Sequence, residues 1–304
     1  MEFLYLLEKM RTPFWDEAMQ LLTHLGAETI FLVVVMIYLW CINKRHGYFL
    51  LLVGIIGTQI NQLLKVIFRI ERPWVRDPEF SVVGNAKEGA GGYSFPSGHT
   101  QSAVGTFGGI ARITKKIWLR VLCIVICLIV PLTRMYLGVH TPADVGVSFL
   151  LAAAMVLGFY PLLRKIWGTK NGVRWLLLGL LAFSVAHMIF MKVFPLYAEG
   201  SASEFAGALK NSYKLLGASG GFYLAYELDR NIVHFEVKAV WWAQILKVLG
   251  GLLLTVLVQE LGYFLVGLFT DALFGRAIIY FAMAFAAAGL WPMVFKYFPK
   301  PEKQ

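Results

Sequence analysis

Three short stretches of this chain carry residues whose types and spacing suit phosphate chemistry. The first runs from Lys65 to Pro73 and holds Lys65 and Arg72. The second is Pro96-Ser97-Gly98-His99. The third runs from Arg134 to Asp144 and holds Arg134, His140 and Asp144. Fixed cations can neutralise anionic oxygens, and a glycine turn that opens a helix aims backbone N–H groups at an anion. A histidine can attack or move a proton. A carboxylate four residues after a histidine can fix which ring nitrogen carries the proton.

Each fragment also has a plain structural reading. Lys65 and Arg72 lie seven apart, which predicts one shared helical face ended by Pro73. They could be a snorkelling lysine and an interfacial arginine. Pro96-Ser97-Gly98-His99 could be an ordinary helix start with Ser97 as cap. Thr141-Pro142-Ala143-Asp144 reads as an N-cap, a proline at N1 and an acid at N3, so Asp144 could serve the helix alone. The combination is what carries weight, because all three stretches abut one side of a membrane.

That membrane follows from composition. The chain has 304 residues, 58% hydrophobic and 15% charged, where a soluble domain carries roughly 25% charged residues. The apolar residues come in runs long enough to cross a ~30 Å hydrocarbon core. Spans are expected near 28–43, 48–68, 99–114, 117–136, 143–163, 175–194, 212–228, 240–267 and 277–296. The fold class is therefore all-α, a polytopic bundle of about nine transmembrane helices. Residues 1–25 mix Phe3, Leu4, Leu7, Phe14, Met19 and Leu22 with charges, as interfacial amphipathic helices do. Those charges break any apolar core, so no cleavable signal peptide is expected there. Gly105 and Gly109, like Gly217 and Gly221, are spaced for close helix contact in lipid.

The net charge of +10 fits membrane loops and an anion site better than nucleic-acid binding, since no basic soluble face is visible. Lys44 and Arg45, Lys115, Lys116 and Arg120, and Arg164, Lys165, Lys170 and Arg174 occupy alternate connections, which places them in the cytoplasm. The three motifs then face outward. The loop with Arg69, Arg72, Arg76 and Lys87 is also basic, and a phosphate site would account for part of that charge. Cys41, Cys123 and Cys127 lie in apolar segments and read as packing residues. No cysteine, histidine or acidic cluster has metal-ligand spacing, so neither metal nor cofactor is expected.

The three motifs resemble the signature of the type 2 phosphatidic acid phosphatase superfamily, also called lipid phosphate phosphatases. That signature is Lys-x6-Arg-Pro, then Pro-Ser-Gly-His, then Ser-Arg-x5-His-x3-Asp. The chain matches every position except that Thr133 stands where the pattern has serine. The resemblance implies a six-helix phosphatase core over about residues 26–194; it says little about the C-terminal extension, 195–304, where the apolar runs alone suggest about three more transmembrane helices.

It further implies metal-independent hydrolysis of a lipid monophosphate or diphosphate through a phosphohistidine. His140 would be the nucleophile, Asp144 its orienting group and His99 the general acid. Lys65, Arg72 and Arg134, with Ser97 and Gly98, would hold the phosphoryl oxygens. In bacterial relatives the site faces away from the cytoplasm, so a bacterial cytoplasmic membrane with an outward site is expected. The partners expected are the lipid substrate and membrane lipids.

Other readings stay open at this stage. The same cations could serve a lipid or anion transporter, or the reaction could be phosphotransfer to an acceptor other than water. A vanadate-dependent haloperoxidase shares the motifs, but those relatives are soluble. Residues 74–95 could lid the site or be a plain loop. His187 and Glu260 are intramembrane polar groups of either structural or substrate-contacting use. The last spans could widen a lipid groove, form a homodimer contact or pack on the core.

Overall fold

A computed structural model of the chain describes residues 1–194, 202–269 and 273–301. The α-helices are α1 (Glu2–Lys9), α2 (Pro13–Thr23), α3 (Glu28–Ile37), α4 (Lys44–Phe68), α5 (Pro73–Arg76), α6 (Gly98–Ala103), α7 (Gly109–Ile113), α8 (Ile117–Tyr136), α9 (Pro142–Ile166), α10 (Gly172–Val193), α11 (Ala202–Leu228), α12 (Trp241–Phe269) and α13 (Leu273–Phe285). No strand occurs among the described residues, so the chain is all-α as its apolar runs predict. A π-turn at Val104–Gly108 joins α6 to α7 in one helical run.

Six helices are long and apolar enough to cross a membrane, and a seventh span forms if the bent pair Pro13–Gly26 and Glu28–Ile42 counts as one. The chain is an integral membrane protein. Nine spans were expected, and two of those differ in kind. The stretch near 99–114 is the short α6–α7 run. Helix α11 is long, but its glycines, serines, tyrosines and charges leave it less apolar than the others.

Two compact units divide the chain. One comprises residues 1–32, 52–161 and 199–208; the other comprises 33–51, 162–198 and 209–304. In the first, α1 and α2 pack on the C-terminal part of α8. Leu4 and Leu7 are buried, which uses the apolar face of α1. Tyr5 Oη donates to Asp77 Oδ2 at 2.8 Å, and Tyr136 Oη to Asp16 Oδ1 at 2.8 Å. Arg11 donates from Nε and Nη2 to the Tyr136 carbonyl at 3.2 and 3.0 Å.

These bonds bear on the 74–95 loop. Val83 and Ala90 are buried with Tyr136, Leu137 and Val139, and Val83 N donates to Leu137 O at 3.2 Å. The loop is packed, with its apolar residues in a small core of their own.

The second unit is built on close helix approach. A Cβ added at Gly217 would stand 2.1 Å from Ala277 O, and one at Gly221 would stand 2.5 Å from Phe281 O. Only glycine lets α11 and α13 meet so closely, as their spacing predicted. Gly105, in the first unit, is under no such pressure: its added Cβ would meet Val53 at an ordinary 3.4 Å. Within the second unit, Ser184 and Ser219 share a hydrogen bond of 2.8 Å.

Candidate active site

The cations converge by a different route from the one their spacing suggests. Helix α4 ends at Phe68, and Arg69 follows in the left-handed region at φ 51°. Arg72 is the N-cap of the separate helix α5, with Pro73 at its first position. Lys65 and Arg72 therefore do not share a helical face. A chain reversal places them against one short segment instead, whose carbonyls they hold. Lys65 Nζ donates to Tyr93 O at 2.5 Å. Arg72 donates from Nε to Gly92 O at 3.0 Å and from Nη2 to Gly91 O at 2.9 Å. Ser94 N in turn bonds Ile70 O at 2.7 Å, closing the two segments on each other.

Ser97 is fully buried and caps α6, its Oγ accepting from Thr100 N at 3.4 Å and Thr100 Oγ1 at 3.1 Å. The oxygen is used as a cap, which leaves its own proton to donate. Ser97 O accepts from Ser148 Oγ at 2.7 Å, and Ser97 N donates to Asp144 O at 3.1 Å, so α6 and α9 start side by side. A Cβ added at Gly98 would meet no heavy atom within 4 Å, so the first turn of α6 opens onto free space. His99, the next residue, is half-buried and lies within electrostatic reach of Arg134, Arg72 and Lys65.

Arg134 lies buried in the last turn of α8, its Nη1 donating to Thr23 Oγ1 at 2.8 Å. Its Nε has no partner among the described residues. A buried guanidinium with a spare donor is costly unless something anionic takes it. Thr133 departs from the family pattern without consequence for this geometry. Its hydroxyl donates back to Val130 O at 2.7 Å within the helix, a bond that serine would make equally well.

His140 and Asp144 are almost wholly buried. Thr141 and Asp144 cap α9 reciprocally. Thr141 N donates to Asp144 Oδ2 at 2.7 Å, and Asp144 N donates to Thr141 Oγ1 at 3.3 Å. The same Oδ2 faces His140 Nδ1 at 3.4 Å. The carboxylate that caps α9 thus also faces the histidine ring. Arg72 Nη1 donates to Nε2 at 3.0 Å and lies 3.5 Å from Nδ1. The closer approach of this donor to Nε2, with Asp144 Oδ2 and Ser94 Oγ beside Nδ1, favours the tautomer with its proton on Nδ1 and its lone pair on Nε2. Burial first, then Arg72, Lys65 and Arg134, hold the His140 pKa well below the usual imidazole value, so the ring is neutral.

The eight residues expected from sequence lie in the first unit: Lys65, Arg72, Ser97, Gly98, His99, Arg134, His140 and Asp144. A hydrogen bond joins His140 to Arg72, and Asp144 Oδ2 lies 3.4 Å from its Nδ1. Bonds to shared backbone segments draw in Lys65 and Ser97. Sequence reasoning missed Ser94. Its hydroxyl donates to Asp144 Oδ2 at 2.6 Å and lies 3.4 Å from His140 Nδ1. Its only signal was a place two residues before Pro96. Thr23, the anchor of Arg134, carried no signal at all. His187 and Glu260 belong to the second unit. His187 is buried with neither ring nitrogen bonded to a described residue, and Glu260 is exposed on α12.

Two family profiles match the chain. One, described as the PAP2 superfamily, covers residues 45–167, and another, the PAP2 superfamily phosphatase transmembrane extension, covers 213–302. Among curated proteins, sphingosine-1-phosphate phosphatase 1 of Rattus norvegicus is 23% identical over 255 residues, 79% of this chain and 57% of the rat protein. Phosphatidylglycerophosphatase B of Bacillus subtilis (strain 168) is 28% identical over 167 residues, 49% of this chain and 77% of that one. Undecaprenyl-diphosphatase BcrC of the same organism is 26% identical over 146 residues, 47% of this chain and 72% of that one. The chain thus spans little more than half the length of the rat relative. No solved structure matches it.

Proposed function

The chain belongs to the PAP2 superfamily, and from that premise we propose that it hydrolyses a lipid phosphate through a phosphohistidine, without a metal ion. The observation that carries the reading is the state of His140: neutral, its Nδ1 beside Asp144 and Ser94, its Nε2 lone pair held by one of three converging cations. The three relatives, as their names state, act on sphingosine 1-phosphate, phosphatidylglycerophosphate and undecaprenyl diphosphate. All three substrates are phosphorylated lipids, and a membrane-embedded chain is suited to that class.

The lipid's phosphoryl group displaces Arg72 from Nε2 and takes its donors for its own oxygens. Lys65, Arg134 with its spare Nε, Ser97 and the N–H groups at Gly98 complete the cradle. The charge that spreads over the equatorial oxygens during transfer is met by groups already in place. Nε2 attacks phosphorus as the bond to the leaving oxygen breaks. Burial and then Arg134 hold the His99 pKa down to about 3; the incoming phosphate's negative charge offsets those cations, so that His99 takes up a proton and passes it to that oxygen. His99 then takes a proton from water, whose oxygen attacks the phosphohistidine; the P–N bond breaks and inorganic phosphate leaves. Asp144 stabilises the positive charge that His140 gains on attack. The charges neutralising the phosphate are side-chain cations, which is the ground for expecting no metal requirement. The basic connections at Lys44, Lys115 and Arg164 support an outward-facing site by the positive-inside rule.

Phosphate release by the purified full chain, with EDTA present, tests the reading on a panel of lipid mono- and diphosphates. Release by wild type and none by His140→Ala is expected. Unchanged turnover in His140→Ala sinks the nucleophile assignment. Binding of the lipids with no release by wild type favours a transporter, and transfer of phosphate to a second lipid favours a phosphotransferase.

A further inference from the structure

Beside the cationic cradle stands a carboxylate that the hydrolysis does not use. Glu204 lies in the first turn of α11, in neither of the stretches matched by the family profiles. The adjoining Phe205 is buried, and its ring meets that of Tyr93 edge-on with centroids 6.4 Å apart. This contact docks the start of α11 on the loop whose carbonyls Lys65 and Arg72 hold. A Cβ added at Gly92 would stand 3.4 Å from Glu204 Oε2. The carboxylate's charge accordingly acts on both Lys65 and Arg72.

In a site that binds phosphate, this placement has a direct electrostatic consequence. A ligand whose charge is phosphate alone is repelled by Glu204, and a diphosphate is repelled more. A ligand that carries a cation close to its phosphate turns the same carboxylate into an ion-pair partner. Specificity is the difference between the two cases.

We propose that Glu204 is a specificity residue that binds an ammonium group of the substrate, so that the preferred substrate is a long-chain amino-alcohol phosphate. Such a molecule carries its ammonium two bonds from the carbon bearing the ester oxygen. It can give its phosphate to Lys65, Arg72 and Arg134 and its ammonium to Glu204. The proposal rests on the phosphatase reading above.

The test compares kcat/KM for a long-chain 2-amino-alcohol 1-phosphate and its N-acyl derivative, whose nitrogen is neutral. Both are hydrolysed by the full chain in detergent, as wild type and as Glu204→Gln. Wild type is expected to prefer the free amine by about tenfold or more, the size of a lost charge-assisted bond. Glu204→Gln should bring the two substrates near parity by slowing the amine while the N-acyl rate holds or rises. Glu204→Asp, one methylene shorter, should keep part of the preference and serves if the glutamine variant fails to fold. Equal rates on the two substrates in wild type would overturn the proposal, as would a preference that survives in Glu204→Gln. Hydrolysis of phosphatidic acid with none of the amino-alcohol phosphate overturns this proposal alone. Failure on every lipid phosphate overturns the phosphatase reading and this one with it.

Discussion

Both units bury cations and a histidine, yet only in the first does a cation bond the histidine. In the second unit Lys247 is fully buried. Its Nζ donates to Glu236 O at 3.3 Å and Val237 O at 3.1 Å and lies 4.5 Å from the centre of the Phe295 ring. Two carbonyls and a ring face thus engage that ammonium. Lys44, in the same unit, pairs with Asp229 at 2.6 Å and lies 3.5 Å from the Phe235 ring centre. In the first unit Arg134 keeps an unpaired Nε, and Arg72 spends a donor on a histidine lone pair. Burial of a charge does not mark a site. A leftover donor alone does not either, since Arg230 Nη1 of the second unit has no partner among the described residues; a donor spent on a group with chemistry of its own does.

The two buried histidines give the largest test of that difference. His140→Ala should lower kcat by about 1,000-fold or more, as loss of a nucleophile does. His187→Ala should leave it within about threefold, read as phosphate release at saturating lipid. A large loss in the second variant would mean that an unpartnered ring in the second unit also serves the reaction.

The buried cations come next. Arg134→Ala should reduce kcat/KM by about 100-fold, the usual consequence of removing one charge-stabilising donor. Lys247→Met should change the melting temperature and leave kcat/KM nearly unaltered. Equal losses of activity in the two would erase the distinction between satisfied and spare donors.

Ser94→Ala sharpens the site itself. The Asp144 carboxylate loses a hydrogen bond of 2.6 Å but keeps Thr141 N. About a tenfold fall in kcat with the fold retained is expected, and no fall would reduce Ser94 to packing.

The pH profile should show the smallest effect. Because the His140 pKa is held below the usual imidazole value, its neutral form persists as pH falls through about 6.5. Protonation in the folded state is the unfavourable step, so the acid limb set by His140 in kcat/KM should lie below that value. By the same sign, His140 withdraws stability only as pH falls below 6.5, where the unfolded chain binds a proton that the folded chain refuses. A limb that falls at 6.5 and vanishes in the His140→Ala background, measured on residual turnover, would contradict the burial argument.

Much of the site is legible in the sequence because its signals are local. Thr141-Pro142-Ala143-Asp144 caps a helix by bonds within four residues, so residue types and spacing suffice to foresee it. The seven-residue step from Lys65 to Arg72 picked out two residues that meet at one segment, but not through the shared helical face expected. Helical periodicity assumed a continuous helix, and Arg69 interrupts it in a left-handed conformation. The pull that redirects the chain comes from carbonyls at Gly91, Gly92 and Tyr93, some twenty residues on. Thr23 and Ser94 were invisible for the same reason, since each acts across long sequence separations on a residue that a motif does name.

Sequence alone determined that the chain is helical, membrane-embedded and equipped with the residues of one phosphate-handling family. Long apolar runs have few alternatives in lipid, because every backbone N–H and C=O must be bonded within the segment. Tertiary structure decided which donors remain free, which nitrogen of His140 holds the lone pair, and that Glu204 stands beside the cradle. Those outcomes depend on where distant loops bring their carbonyls, hydroxyls and carboxylates, and no local pattern encodes that.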